Sequence, residues 1–164
     1  MVVTLQAEVV DRIRAAPGTG DFGVLTLLLA RTFRAGPAFR IPATCFFPAP
    51  DVESACVRLE RRLPPLAEGP AAAVYVELVK TAFSQRRKQL RKVIRSRWPD
   101  PALAQAWATL ALAGDVRPEV LSPAQFADLA RLLGPNRQRR RVSSARTAGF
   151  PALANPHWQT VAPT

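Results

Sequence analysis

The stretch "PGTGDFGVLTLLLA", Pro17 to Ala30, carries Gly18, Gly20 and Gly23 at the spacing G-x-G-x-x-G, and its reading decides which kind of α/β fold the chain has. That spacing cradles a dinucleotide or S-adenosylmethionine only where a buried strand runs into the glycines and a helix starts on them, so that backbone N–H groups face the cofactor. The preceding residues, "LQAEVVDRIRAA", place Leu5, Val9, Val10 and Ile13 on one helical face and leave Glu8, Asp11, Arg12 and Arg14 mostly outside it. A helix, not a strand, feeds this loop. Pro17 and Gly18 read as its stop. The acid that takes a ribose hydroxyl about 20 positions further on has no counterpart, because Arg34 to Ala38 holds no carboxylate. The glycines are therefore read as a connection, with no cofactor expected on them.

Around that loop the first segment, residues 1–62, alternates strand-like and helix-like stretches. "MVVTLQ" reads as a buried strand, "VLTLLLARTF" as a strongly apolar helix, and "AFRIPA" as a short extended piece stopped by Pro42. In "VESACVRLERR", Val52, Ser54, Cys56 and Arg58 alternate with Glu53, Ala55, Val57 and Leu59, which is strand periodicity. Pro64, Pro65, Gly69 and Pro70 mark a linker over residues 63–72, and beyond it the pattern turns all-helical.

In the helical part, residues 73–134, Val74, Tyr75, Leu78, Val79, Ala82 and Phe83 form one apolar stripe that Leu90, Val93 and Ile94 continue. Arg86 falls on the same stripe, so an unbroken helix would bury its guanidinium. A break at Ser84, a good N-cap residue, lets "QRRKQLRKVI" begin a new helix at another angle. "LSPAQFADLARLLG" predicts a helix from its ends: Ser122 caps it, Pro123 takes the first position and Gln125 closes a capping box. Leu121 faces Phe126 as a staple, and Gly134 stops the helix. After Pro135 periodicity is lost, and residues 135–164, with "RQRRR" at Arg137 to Arg141, read as a disordered basic tail.

The 164 residues carry 23 Lys and Arg against 12 Asp and Glu, a formal charge of +11. Such an excess points to a polyanion, nucleic acid first and an anionic membrane surface second. No apolar run reaches the roughly 18 residues of a membrane span, and the N-terminus lacks the order of a signal peptide, so a cytoplasmic protein is expected. Cys45 and Cys56 then read as reduced thiols. With the distant His157 they make no metal-ligand pattern, and no metal is expected.

The charge concentrates in Arg86, Arg87, Lys88, Arg91, Lys92, Arg95 and Arg97, a run without an acidic residue. On a helix, Arg87, Arg91 and Arg95 share a face, and each guanidinium can fork onto phosphate oxygens. The rival reading is a solvated helix face; the lack of acids favours phosphate contact. In "CFFPAPDVES", Phe46 and Phe47 precede Pro48 and Pro50, which hold the loop extended. An aromatic on a stiff loop can stack a flipped nucleobase. It can equally be a core phenylalanine at a corner, and the pattern alone leaves both open.

Q-x-E-V-x-D-R-I from Gln6 to Ile13, P-G-x-x-D-F-G from Pro17 to Gly23, F-F-P-x-P-x-V-E-S from Phe46 to Ser54 and A-F-S-Q-R-R-K-x-L-R from Ala82 to Arg91 follow one another in order. The chain thereby resembles the small-subunit ribosomal RNA adenine dimethyltransferases, and the likeness continues through "DVRPEVLSPAQFADLARLL" to about Leu133. The related large-subunit methylases that confer macrolide resistance share the Phe-x-Pro-x-Pro loop, but "FSQRRKQLRKVI" resembles the small-subunit branch more closely.

The resemblance implies an α/β Rossmann-like methyltransferase remnant, its last strands and a helix, followed by a small all-α RNA-binding domain and the basic tail. It also implies that the family's S-adenosylmethionine loop and its N-L-P-Y motif, which holds the target adenine's amino group, lie upstream of the stretch matching Met1. "GTGDFG" corresponds instead to the family's Pro-Gly-Ser-Lys-Asp-Tyr-Gly loop. Phe46 matches the aromatic that stacks on the flipped adenine. Arg86, Arg87, Lys88, Arg91, Lys92 and Arg95 match the surface that contacts ribosomal RNA. The family transfers methyl groups from S-adenosylmethionine to adjacent adenines of small-subunit ribosomal RNA. This chain alone is expected to bind RNA or the assembling small subunit, with no S-adenosylmethionine of its own. The rival expectations are a separate RNA- or subunit-binding protein, and a truncated fragment without a function of its own.

Overall fold

The computed structural model describes residues 1–85 and 88–134. Three strands, β1 (Val2–Gln6), β2 (Phe33–Ile41) and β3 (Ser54–Arg61), form one sheet in the order β1-β3-β2, with both outer strands antiparallel to β3. The alternation along β3 turns Ala55, Val57 and Leu59 to one face, where all three are buried. Helix α1 (Ala7–Arg14) covers that face with Ala7, Val10 and Ile13, and Phe33, Ala35 and Ala38 of β2 pack beside them. Between Ala35 and Ala38 the register of β2 slips at Gly36 and Pro37. A Cβ on Gly36 would stand 3.3 Å from the Arg58 carbonyl oxygen, so the slip brings backbone against backbone.

The run Val2 to Leu5 predicts a buried strand, but β1 is an edge of the sheet and exposed along most of its length. Only β3 pairs with it among the described residues. The apolar helix predicted through Phe33 ends sooner: α2 spans Val24–Ala30, and Arg31 turns the chain so that Phe33 enters β2.

The remaining helices are α3 (Gly69–Ala82), α4 (Leu90–Ile94), α5 (Asp100–Thr109) and α6 (Pro123–Leu133). Residues 63–72 are not a free linker. The Leu66 N–H donates to the Arg31 carbonyl (2.9 Å), Arg31 reaches the Ala67 carbonyl (3.2 Å), Ala67 is buried, and α3 begins at Gly69. One core cluster, Ala7, Val10, Ile13, Ala55, Val57 and Leu59, lies within residues 1–62, and the other draws on both segments. Phe22 and Leu27 from the first segment lie in one apolar cluster with Tyr75, Leu78, Leu90, Ile94 and Phe126.

The sequence predicts Ser84 as the cap of a helix that follows it. Its hydroxyl instead donates to the Thr81 carbonyl (2.7 Å), closing α3 through a 3-10 turn at Phe83–Gln85, and α4 starts only after Gln89. The break is real; the new helix is shorter than the predicted one. At α6 the predicted ends are present. Ser122 accepts from the Gln125 N–H (3.3 Å), the Gln125 side chain accepts from the Ser122 N–H (2.9 Å), and Gly134 takes φ +59° at the C-cap, where glycine bears no Cβ penalty. The predicted basic tail, residues 135–164, lies outside the described residues.

Candidate functional site

The glycine loop follows α1, a helix, and its backbone donors are largely committed. Gly18, at φ +86°, donates to the Glu119 carbonyl (2.8 Å), Phe22 N–H to Thr19 (3.2 Å), and Gly23 N–H to the Thr26 hydroxyl (3.2 Å). Thr26 is buried, and its hydroxyl donates in turn to the Arg12 carbonyl (2.6 Å) near the end of α1. The loop is thus a clasp between two helices. A cleft of about 680 Å³ opens beside it, lined by Arg12, Asp21, Leu25, Leu28 and Phe83 among others.

Between β2 and β3 the chain makes a 3-10 turn at Ala43–Cys45 and then presents Phe46 and Phe47. The stem of this loop is clamped: Arg40 bridges Asp11 (2.8 Å) and Glu53 (3.0 Å), and the Ala7 N–H donates to the Glu53 carbonyl (2.9 Å). Phe46 is extended at φ −119°, ψ 151° and 39% exposed, Phe47 is fully exposed, and neither belongs to a core cluster. The Phe47–Pro48 peptide is cis.

The basic surface is built on α4. Leu90, Val93 and Ile94 are buried, which fixes the helix against the core and turns its other side outward. Lys88, Lys92, Arg95 and Arg97 are exposed and Arg91 is half-buried. None of these cations forms an ion pair among the described residues; the acids that pair with arginine lie elsewhere, as in Arg131–Asp128 and Arg58–Glu60. Arg86 and Arg87, predicted for the same surface, lie outside the described residues. Of the expected helical row of Arg87, Arg91 and Arg95, Arg91 stands in α4 and Arg95 caps its C-terminus.

One contributor escaped the sequence. The Leu90 N–H donates to the Val116 carbonyl (2.8 Å), and this places Asp115 and Arg117 beside Lys88, Gln89 and Lys92 around a depression of about 390 Å³. Arg117 stands 3.9 Å from Glu119, a loose pair. The one available signal was the positive charge in "DVRPEV", isolated in sequence from the basic run. Phe46 does not line this depression. Among the described residues no group of three or more His, Cys, Asp and Glu could hold a metal ion, and no helix is long and apolar enough to cross a membrane.

Residues 1–134 match the family described as ribosomal RNA adenine dimethylase. The chain is 41% identical over 140 residues to the ribosomal RNA small subunit methyltransferase A of Myxococcus xanthus, covering 82% of this chain and 48% of that protein. To the same enzyme of Geobacillus thermodenitrificans it is 35% identical over 140 residues, with the same coverage. The chain spans about half the length of these relatives. Among solved structures, the 23S rRNA methyltransferase ErmE superposes with a TM-score of 0.57 at 25% identity, over 80% of this chain and 53% of that one. A dimethyladenosine transferase from Plasmodium falciparum shares the fold at a TM-score of 0.61 and 18% identity, over 78% and 54% of the two chains.

Proposed function

The chain belongs to the ribosomal RNA adenine dimethylase family, and from that membership we propose that it supplies the family's RNA-holding half. In this reading residues 1–62 are the last strands and a helix of a Rossmann-like methyltransferase domain, and residues 73–134 are the helices that grip small-subunit ribosomal RNA. The observation that carries it is α4: a buried apolar side anchors the helix, while Lys88, Lys92 and Arg95 face solvent without acidic partners among the described residues. Cations held in this way remain available to phosphate oxygens, and each contact releases counterions from the nucleic acid. Arg117 extends the surface from a second element.

Phe46 is the ring on which the target adenine stacks once flipped; its partial exposure on a clamped loop supports that role. S-adenosylmethionine serves the complete enzyme of the family, but the glycine loop of this chain does not fit it. The N–H groups of Gly18, Phe22 and Gly23 are spent on Glu119, Thr19 and Thr26. In this reading the chain binds RNA in the cytoplasm.

Fluorescence anisotropy of a labelled small-subunit ribosomal RNA fragment, titrated with the 164-residue chain at several salt concentrations, tests the reading. Binding that weakens steeply with salt is expected. No binding at low salt, or an affinity indifferent to salt, overturns it.

A further inference from the structure

Three arginines that stand apart in sequence meet around one small pocket. Arg14 comes from the last turn of α1, Arg34 from the start of β2, and Arg62 directly follows β3. The pocket holds about 210 Å³, Ile13, Leu29 and Phe33 give it apolar walls, and among the described residues no acidic side chain lines it. It shares no residue with the depression beside α4.

Arg62 is the fixed member. Its N–H donates to the Thr32 carbonyl (2.8 Å), and its Nε donates to the carbonyls of Ala30 (2.9 Å) and Phe33 (3.3 Å). The guanidinium is thereby oriented in advance, while its two terminal nitrogens make no hydrogen bond among the described residues. Arg14 and Arg34 are exposed, and their side chains form neither a hydrogen bond nor an ion pair among the described residues. Glu60, opposite Arg34 in the ladder, is engaged by Arg58.

An arginine at a helix C-terminus offsets the negative end of the macrodipole, which accounts for Arg14 in α1 and for the Arg62 Nε on Ala30 at the end of α2. It accounts neither for the unused fork of Arg62 nor for Arg34, which lies on a strand. A cleft lined by one sign of charge with apolar walls concentrates the counter-ion. Guanidinium forks fit the paired oxygens of carboxylate and phosphate, and three of them suit the group that carries up to two negative charges, phosphate. The volume falls below the roughly 300 to 1,000 Å³ of pockets for whole organic ligands, so the pocket takes the phosphate group and leaves outside whatever the group is attached to.

We propose that Arg14, Arg34 and Arg62 form a phosphate-binding pocket, separate from the basic surface on α4, that takes a phosphate of an RNA backbone or of a small soluble phosphate.

Calorimetric titration of the 164-residue chain with inorganic phosphate, at an ionic strength held constant with sodium chloride, tests the pocket. Saturable binding is expected. Arg14→Gln and Arg34→Gln, both at exposed positions, should each weaken it about tenfold or more, the worth of one charge-assisted hydrogen bond. Arg40→Gln, which removes the same charge elsewhere on β2, should leave it unchanged. No saturable binding, or binding that survives Arg14→Gln and Arg34→Gln together, overturns the pocket. Anisotropy of the labelled small-subunit ribosomal RNA fragment separates the two sources. Where the RNA backbone enters the pocket, the double variant lowers the slope of log affinity against log salt by roughly 0.7 for a single-strand phosphate, and Arg40→Gln does not. An unchanged slope assigns the pocket to a small soluble phosphate. Phosphate binding by a chain that does not bind RNA keeps the pocket and removes the RNA reading of α4; salt-sensitive RNA binding without phosphate binding does the reverse.

Discussion

The Tyr75 hydroxyl donates a hydrogen bond to the Leu27 carbonyl oxygen at 2.9 Å, joining α3 to α2 across 48 positions of sequence. The same carbonyl accepts the Arg31 N–H (3.1 Å), and the Tyr75 ring meets Phe126 of α6 edge-on at 6.5 Å. One buried tyrosine therefore ties the strand-rich segment to two helices of the other.

Burial pushes the Tyr75 phenol above its ordinary value of about 10, and the nearby Arg31 and Arg62 pull it down without cancelling the shift. A folded-state pKa above the unfolded one contributes stability that is present below the unfolded pKa and lost as pH rises through the folded one. Urea midpoints measured across the alkaline range should fall above about pH 10, and less steeply in Tyr75→Phe. At neutral pH Tyr75→Phe should cost about 1 kcal/mol, the net worth of one hydrogen bond. Equal alkaline losses in both proteins would exonerate the phenol.

Thr26→Val keeps shape but strands the Gly23 N–H and removes the donor to the Arg12 carbonyl. A loss of about 1 to 3 kcal/mol is expected from unsatisfied buried groups, with Thr26→Ser close to the parent. Thermal melting of the two variants decides whether the glycine loop clasps α1 to α2.

Replacing Lys92, Arg95 and Arg117 together by Gln should flatten the dependence of log RNA affinity on log salt by roughly 0.7 for each single-strand phosphate no longer neutralised. Arg40→Gln is the control, because that guanidinium is already engaged by Asp11 and Glu53. An unchanged slope in the triple variant would move the RNA grip to Arg86, Arg87 or the stretch Arg137 to Arg141.

In a full-length enzyme of the family carrying this stretch, Phe46→Ala should lower methylation by roughly one to two powers of ten, since stacking on an aromatic returns about 1 to 3 kcal/mol at about 1.4 kcal/mol per factor of ten. The melting temperature should hardly move, since Phe46 lies in neither core cluster. Phe47→Ala should leave turnover near the parent value; loss of turnover there alone would assign the platform to the second ring.

Calorimetric titration of the 164-residue chain with S-adenosylmethionine should give no binding heat. Micromolar affinity would mean that the glycine loop rearranges to free its amides.

What the sequence determined by itself is what depends on neighbours within a turn or a pleat. The alternation along β3 places Ala55, Val57 and Leu59 inward, and Ser122, Pro123, Gln125 and Gly134 delimit α6. The helix before Gly18 and the aromatics before Pro48 are equally local. Tertiary structure decided what depends on distant partners. α4 begins at Leu90, whose N–H bonds to Val116, and that same bond brings Arg117 into the basic surface, a placement no periodicity near Arg117 could reveal. The stretch from Pro64 to Pro70 carries bonds that its composition does not show: the Tyr75 hydroxyl reaches the Leu27 carbonyl across it and Arg31 bonds Ala67 within it, because proline content registers a local loss of N–H groups and not hydrogen bonds to distant partners. β1 looks interior by its side chains and is an edge in space, because pairing is a property of two strands and only one of them is written in Val2 to Gln6.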